Sequence, residues 1–345
     1  MTRSCLFLLS LMFTLTCNQP GKDKKSSNDD SRLITELTEK NACVLSQITY
    51  CNDVHTALAK YLTGWKLLWE GTELEGNFAF VASNGKEYVL AIRGSLIDFN
   101  WSAFQNWIYQ DLHVVSQQRW PYTLDPSNAK ISQGAYDGWQ HLCKMKDKET
   151  GRLLLPFLET VLNEDSRLLI TGHSLGGNLA AVYASFLRQK IKNKGPDINV
   201  ISFGAPAAGN QAFAEDYNKK FPSSIRVENI NDIVPKFPST SGIDKLGGLF
   251  NDSVSAGNIQ VGYKDITVSL STVFTLLKTT VSLLEFTNTI SPYVQTNGEG
   301  KKIYFPLSGK NYGNDIINWL AEAGYQHGVA SYSMMENVPL VDCSQ

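Results

Sequence analysis

Apolar positions recur at two spacings along the chain. From about 31 to 62 they fall at helical intervals, with Leu37, Leu45, Ile48, Leu58 and Leu62 set among polar residues. Short β-rich runs follow at 65–69, 78–82 and 87–92, and again at 167–171, 199–203 and 225–229. Helical stretches at 175–191 and 210–220 separate the last three runs. Strands that alternate with helices predict a single α/β domain whose central sheet is mixed overall and parallel at least in its second half. At 265–290, Leu270, Val273, Phe274, Leu277, Val281 and Leu284 again sit at helical spacing. That stretch reads as a helix packed on a core, not a membrane span, because Ser and Thr crowd its other face.

Both ends of this pattern change the picture. Residues 1–17 have a basic tip, Arg3, and an apolar stretch too short to span a bilayer comfortably, which predicts an export signal. Residues 18–30 are polar and charged and read as a disordered tether. A cysteine at the junction, Cys17, resembles the lipidated first residue of a mature bacterial lipoprotein. The chain is therefore expected outside the cytoplasm, either secreted or anchored through Cys17. Residues 31–345 form the α/β domain, with an insertion at about 240–305. In an oxidising compartment the other cysteines downstream of the signal predict the pairs Cys43–Cys51 and Cys143–Cys343.

Charge excludes one class of partner. With 31 Lys+Arg against 33 Asp+Glu in 345 residues, nothing points to nucleic acid. A hydrophobic share of 43% is ample for a large core. No Cys-x-x-Cys or His/Cys cluster suggests a metal site, and no protein partner is indicated.

The chemistry centres on Gly-His-Ser-Leu-Gly at 172–176, which follows an apolar strand and opens a helical run. Strand, tight turn and helix are what a Gly-x-Ser-x-Gly nucleophile elbow requires. Ser174 is the nucleophile candidate, and the N–H of Leu175, at a helix N-terminus, is free for an oxyanion. A serine needs a base, and the base a carboxylate. In folds with this elbow the order is Ser, acid, His, and His327 is the only histidine downstream. Asp232, just after the strand at 225–229, is the acid candidate, with Asp216 and Asp197 as alternatives. Ser95, after the strand end at Gly94, offers a second oxyanion donor. His173 is expected to point away from the serine.

Seven segments then carry a resemblance: Ala-Ile-Arg-Gly-Ser at 91–95, Asn-Trp-Ile-Tyr-Gln-Asp-Leu at 106–112, Gln-Gly-Ala-Tyr-Asp-Gly-Trp at 133–139, Gly-His-Ser-Leu-Gly-Gly at 172–177, Phe-Gly-Ala-Pro at 203–206, Asn-Asp-Ile-Val-Pro at 231–235, and His327. Together and in this order the chain resembles the class 3 lipases, the fungal-lipase-like α/β-hydrolases. The resemblance implies an α/β-hydrolase fold, with Ser174 as nucleophile, Asp232 as acid, His327 as base, and Ser95 and Leu175 as oxyanion hole. It also implies hydrolysis of carboxylic esters, usually of lipids, with no metal or cofactor. The chain departs from the family in its loop at 96–104 and in the long stretch between Asp232 and His327. Leu96, Ile97, Phe99, Trp101, Phe104 and Trp107 form an apolar cluster on a loop, and 96–110 is the lid candidate. The resulting expectation is an exported serine ester hydrolase acting on acyl lipids at a lipid interface, like a triacylglycerol lipase. Phospholipase A1 and small-ester or feruloyl esterase are the rival enzymes, and a catalytically silent lipid-binding module is the rival from another class.

Overall fold

Strands buried on both faces need helices above and below, and the central strands of this chain are buried at nearly every position. The computed structural model describes residues 37–95, 115–191, 195–251, 254–263, 266–309 and 315–344. All of them lie in the unit Ile34–Gln345. Two helices come first, α1 (Glu39–Ile48) and α2 (Val54–Tyr61), followed by strands β1 (Lys66–Glu70), β2 (Ala79–Ser83) and β3 (Glu87–Ile92). Then come β4 (Gln117–Arg119), β5 (Lys130–Ser132), α3 (Gln133–Lys144) and α4 (Leu154–Val161). Strand and helix alternate in β6 (Arg167–His173), α5 (Leu175–Lys190), β7 (Asp197–Phe203), the short β8 (Gly209–Asn210), α6 (Gln211–Lys220) and β9 (Ile225–Asn229). The last third holds α7 (Thr240–Leu246), β10 (Gln260–Tyr263), β11 (Ile266–Ser269), α8 (Leu270–Phe286), β12 (Tyr293–Val294), β13 (Lys301–Ile303), α9 (Ile316–His327) and α10 (Val329–Glu336). Polar side chains start the helices: Thr38 caps α1, Asp53 caps α2 and Ser132 caps α3, each accepting from a first-turn N–H.

The main sheet has seven strands in the order β1-β2-β3-β6-β7-β9-β13. The first two pairings are antiparallel and the remaining four parallel, so the sheet is mixed and mostly parallel. Alternate residues face opposite layers. Val81, Leu90, Ile92, Leu168, Ile170 and Val200 pack beneath α3, α4 and α5. Phe80, Val89, Ala91, Leu169 and Ile201 pack beneath α1 and α2 on the other face, with Tyr332 of α10. The parallel strands β3, β6, β7 and β9 end on one edge, where crossovers leave their loops side by side.

A third core covers the stretch expected as an insertion. Ile243 and Leu246 of α7 and Leu270, Phe274, Leu277 and Val281 of α8 pack with Trp319 and Leu320 of α9. The helix expected at 265–290 is thus partly core-packed, as read from its spacing, and begins only at Leu270 because the residues before it pair as the β10–β11 hairpin. Its outer face keeps Leu276, Leu283 and Phe286 exposed, and Thr275, Thr279 and Thr280 return their hydroxyls to backbone carbonyls four residues back. Among the described residues no helix is long and apolar enough to cross a membrane.

The disulfide expectation is corrected. Cys51 bonds to Cys343, with their Cα atoms 4.7 Å apart, while Cys43 and Cys143 are free. Cys43 sits within α1 and Cys51 just past its end, and eight residues of rise at 1.5 Å each separate them by roughly 12 Å, beyond the reach of a disulfide. Cys143 packs with the layer under α3 and Cys343 with the layer under α1, so the sheet stands between them. A non-reducing peptide map is expected to show the Cys51–Cys343 link and none from Cys43 or Cys143. Because this bond closes a loop of 292 residues, Cys51→Ser should cost about 2–4 kcal/mol in thermal or denaturant unfolding.

Candidate active site

The turn after β6 is tight enough to exclude side chains. A Cβ on Gly172 would stand 2.4 Å from the carbonyl carbon of Gly176, and one on Gly176 would stand 2.2 Å from the carbonyl oxygen of Ile92. Neither position admits even alanine without moving backbone. Between them Ser174 adopts φ 60° and ψ −131°, a conformation that L-residues rarely hold. Its N–H donates to the Phe203 carbonyl at 2.8 Å, which ties the elbow to the end of β7. Ser174 precedes α5 at the capping position, yet its hydroxyl makes no capping bond. The Oγ lies instead 2.8 Å from Nε2 of His327.

His327 is the last residue of α9, a helix started by the Asp315 carboxylate and stopped at Gly328. Its Nδ1 lies 2.8 Å from Oδ2 of Asp232, so Nδ1–H donates to the carboxylate and the Nε2 lone pair faces the serine hydroxyl. Asp232 is fully buried in the loop after β9. Its Oδ1 accepts from Val234 N–H at 2.8 Å and its Oδ2 also accepts from the Tyr332 hydroxyl at 2.7 Å. Room for this cluster comes from Gly204, at φ 58°, where a Cβ would stand 2.9 Å from both Asp232 Oδ2 and Tyr332 Oη. Nearby Lys236 donates from Nζ to the carbonyls of Ile230 and Asp232, both at 2.7 Å, and so braces the loop. Burial pulls the Lys236 pKa below the usual lysine range, against the attraction of Asp232 and Glu228.

The structure therefore brings Ser174, His327 and Asp232 into one hydrogen-bonded line from three separate elements. The alternative acids lie elsewhere: Asp216 pairs with Lys220 at 2.6 Å inside α6, and Asp197 is exposed at the start of β7. Leu175 is the first residue of α5, where an N–H has no carbonyl four residues back to bond. Ser95 follows β3, and its neighbour Gly94 is so close to the elbow that a Cβ there would stand 3.0 Å from Ser174 Cβ. The lid candidates Phe99, Trp101, Phe104 and Trp107 lie outside the described residues.

One site residue escaped the sequence reading. Tyr332 holds Asp232 from α10, and burial, then the Asp232 charge, push its pKa well above the usual phenol range, so it stays protonated as a donor. His173 does not contact the serine hydroxyl, but its ring lies 4.6 Å from that of His327. No sequence spacing marks Tyr332, and His173 differs from an ordinary core histidine only by its place in the elbow.

A serine hydroxyl aimed at an imidazole lone pair, with a buried carboxylate behind the ring, is arranged to lose its proton as it attacks an electrophile. The family model described as Lipase (class 3) matches residues 89–242. The secreted mono- and diacylglycerol lipase 1 of Fusarium solani is 26% identical over 162 residues, 46% of this chain and 42% of that protein. Phospholipase A1-II 1 of Oryza sativa subsp. japonica is 35% identical over 234 residues, 59% of this chain and 55% of its own length. The chain thus spans about half the length of these curated relatives. Among solved structures, M37 lipase superposes with a TM-score of 0.68 at 23% identity, covering 89% of this chain and 96% of that one. The fold is that of the α/β-hydrolases.

Proposed function

We propose that this chain, whose residues 89–242 carry the class 3 lipase pattern, is an exported serine ester hydrolase that cleaves acyl esters of glycerolipids. The observation that carries the reading is the Ser174–His327–Asp232 line, with 2.8 Å at each hydrogen bond, set in a glycine elbow. His327 takes the Ser174 proton as Oγ attacks the ester carbonyl. The oxyanion is received by the N–H of Leu175 and by Ser95, and the protonated His327 then hands its proton to the departing alcohol. Water, deprotonated by the same histidine, attacks the acyl-serine and frees the fatty acid. Asp232, kept in place by Val234 and Tyr332, stabilises the imidazolium in both halves. No step calls for a metal or cofactor.

Support for a glycerolipid comes from the relatives, whose names specify mono- and diacylglycerol lipase and phospholipase A1 activities. A triacylglycerol-lipase-like preference is the first reading and phospholipase A1 the second. Export, with or without an anchor at Cys17, is supported by the apolar leader and by a disulfide of the kind that persists in oxidising compartments.

Purified protein assayed on p-nitrophenyl esters, triolein and phosphatidylcholine tests the substrate class. Turnover of triolein above phosphatidylcholine is the expected result, the reverse order favours phospholipase A1, and activity on short soluble esters alone removes the lipid from the proposal. The lid proposed at 96–110 adds an expected rise in activity once substrate passes its solubility limit. Exposing large apolar side chains costs roughly 25 cal/mol per Å², a cost that an acyl-chain surface removes. Joint replacement of Phe99, Trp101 and Phe104 by Ser should flatten that rise while sparing a soluble short-chain ester. Equal loss of both activities contradicts the lid.

A further inference from the structure

Two polar side chains beside the site take no part in the proton transfers above: His173, 5% exposed at the end of β6, and Tyr50, from the turn after α1. His173 Nε2 lies 2.8 Å from the backbone oxygen of His327. A carbonyl only accepts, so Nε2 carries the hydrogen. Burial, and next the charge that His327 acquires, hold the His173 pKa well below the usual imidazole range, so the ring is neutral and Nδ1 keeps a lone pair. Tyr50 Oη, 3.1 Å from that nitrogen, must then donate to it, and Oη in turn accepts from the Gly94 N–H. The donors run one way, from Gly94 N–H through Tyr50 O–H and His173 Nε2–H to the His327 carbonyl.

Both ends of this chain matter to the site. Gly94 precedes Ser95, and a Cβ on it would stand 2.5 Å from the His173 carbonyl and 2.6 Å from Tyr50 Oη, so the segment has no slack. At the other end the His173 ring lies over that of His327, with 32° between planes, and edge-on to Tyr332 at 5.5 Å. A buried chain in which each donor has an acceptor rigidifies what it joins. A neutral ring in this place also avoids repelling the imidazolium that His327 becomes.

We propose that Tyr50 and His173 are positioning residues for the ester hydrolysis: they tie the end of β3 that bears Ser95 to the main chain of His327, so that the oxyanion donor and the base keep one spacing around Ser174. The proposal rests on the hydrolase reading above.

Kinetics on a soluble short-chain ester, with long-range 1H–15N spectra of the histidines, test it. Tyr50→Phe should lower kcat about tenfold and His173→Leu about a hundredfold, with KM within about twofold of wild type. His173→Gln, whose amide N–H can reach the His327 carbonyl, should recover at least about tenfold over His173→Leu. The Tyr50→Phe/His173→Leu double variant should be no slower than His173→Leu alone, because one chain is broken only once. Losses under about twofold in both single variants, additive losses in the double, or no rescue by Gln overturn the proposal. Where His173→Leu does not fold, Tyr50→Phe and His173→Gln decide by the same criteria. The spectra judge the chain without turnover: His173 should be neutral and protonated on Nε2 at pH 7, and an Nδ1–H tautomer or a cation overturns it. Wild-type protein that shows the expected tautomer but hydrolyses no ester sinks the hydrolase reading and leaves the hydrogen-bond chain standing as architecture alone.

Discussion

Ser174→Ala is expected to lower turnover on carboxylic esters by about 10⁶-fold while leaving the fold intact. The size follows from how the parts depend on one another. Without Oγ no acyl-enzyme forms, His327 has no proton to take, and the polarisation by Asp232 acts on nothing. What remains is binding and an oxyanion hole acting on bound water, worth about 10³–10⁴ over the uncatalysed reaction. The fold should survive because, among the described residues, the 2.8 Å bond between Oγ and His327 is the one side-chain bond lost, and alanine fits the same buried space. Circular dichroism and a melting curve alongside kcat separate the two effects. The positive φ at Ser174 is strained for alanine as for serine, so it adds no difference between the variants.

Asp232→Asn is expected to cost about 10⁴ in turnover through the histidine, not through folding. The present carboxylate accepts three hydrogen bonds, from Val234 N–H, Tyr332 O–H and His327 Nδ1–H. An asparagine can keep Val234 by its oxygen, but its amide nitrogen then faces both the tyrosine hydroxyl and the imidazole. A donor opposite Nδ1 turns the ring to the Nε2–H tautomer, which presents a hydrogen to Ser174 where a lone pair is needed. The imidazolium also loses its counter-charge in a site where Asp232 is 0% exposed and screening is weak. The measurement is kcat with the melting temperature as control. A similar loss in Asp216→Asn, with Asp232→Asn near wild type, would transfer the role of acid to the other carboxylate.

Much of this fold was legible in the sequence because its signals are local. The runs at 167–171 and 199–203 are mostly apolar, as strands buried on both faces tend to be, and the helix between them imposes a parallel crossover. The Gly172 and Gly176 pair announced the elbow because close approach of β3 tolerates no side chain at either position. What stayed hidden depends on distance through space. The pairing of Cys51 with Cys343 follows from the C-terminal tail lying along α1, and nothing near either cysteine records it. Tyr332 reaches Asp232 across 100 residues of chain, and Tyr50 reaches His173 across 123. The short strands β8, β12 and β13 have no periodicity of their own and exist through the neighbours they pair with.

The central claim, that Ser174 is a nucleophile activated by His327, is tested most directly by labelling with a fluorophosphonate, which reacts with an activated serine without demanding the right acyl chain or head group. Intact mass followed by peptide mapping should find one label per molecule, on Ser174, and none in His327→Ala under the same conditions. Absence of label in folded wild-type protein, or a label on any other serine, would contradict the account.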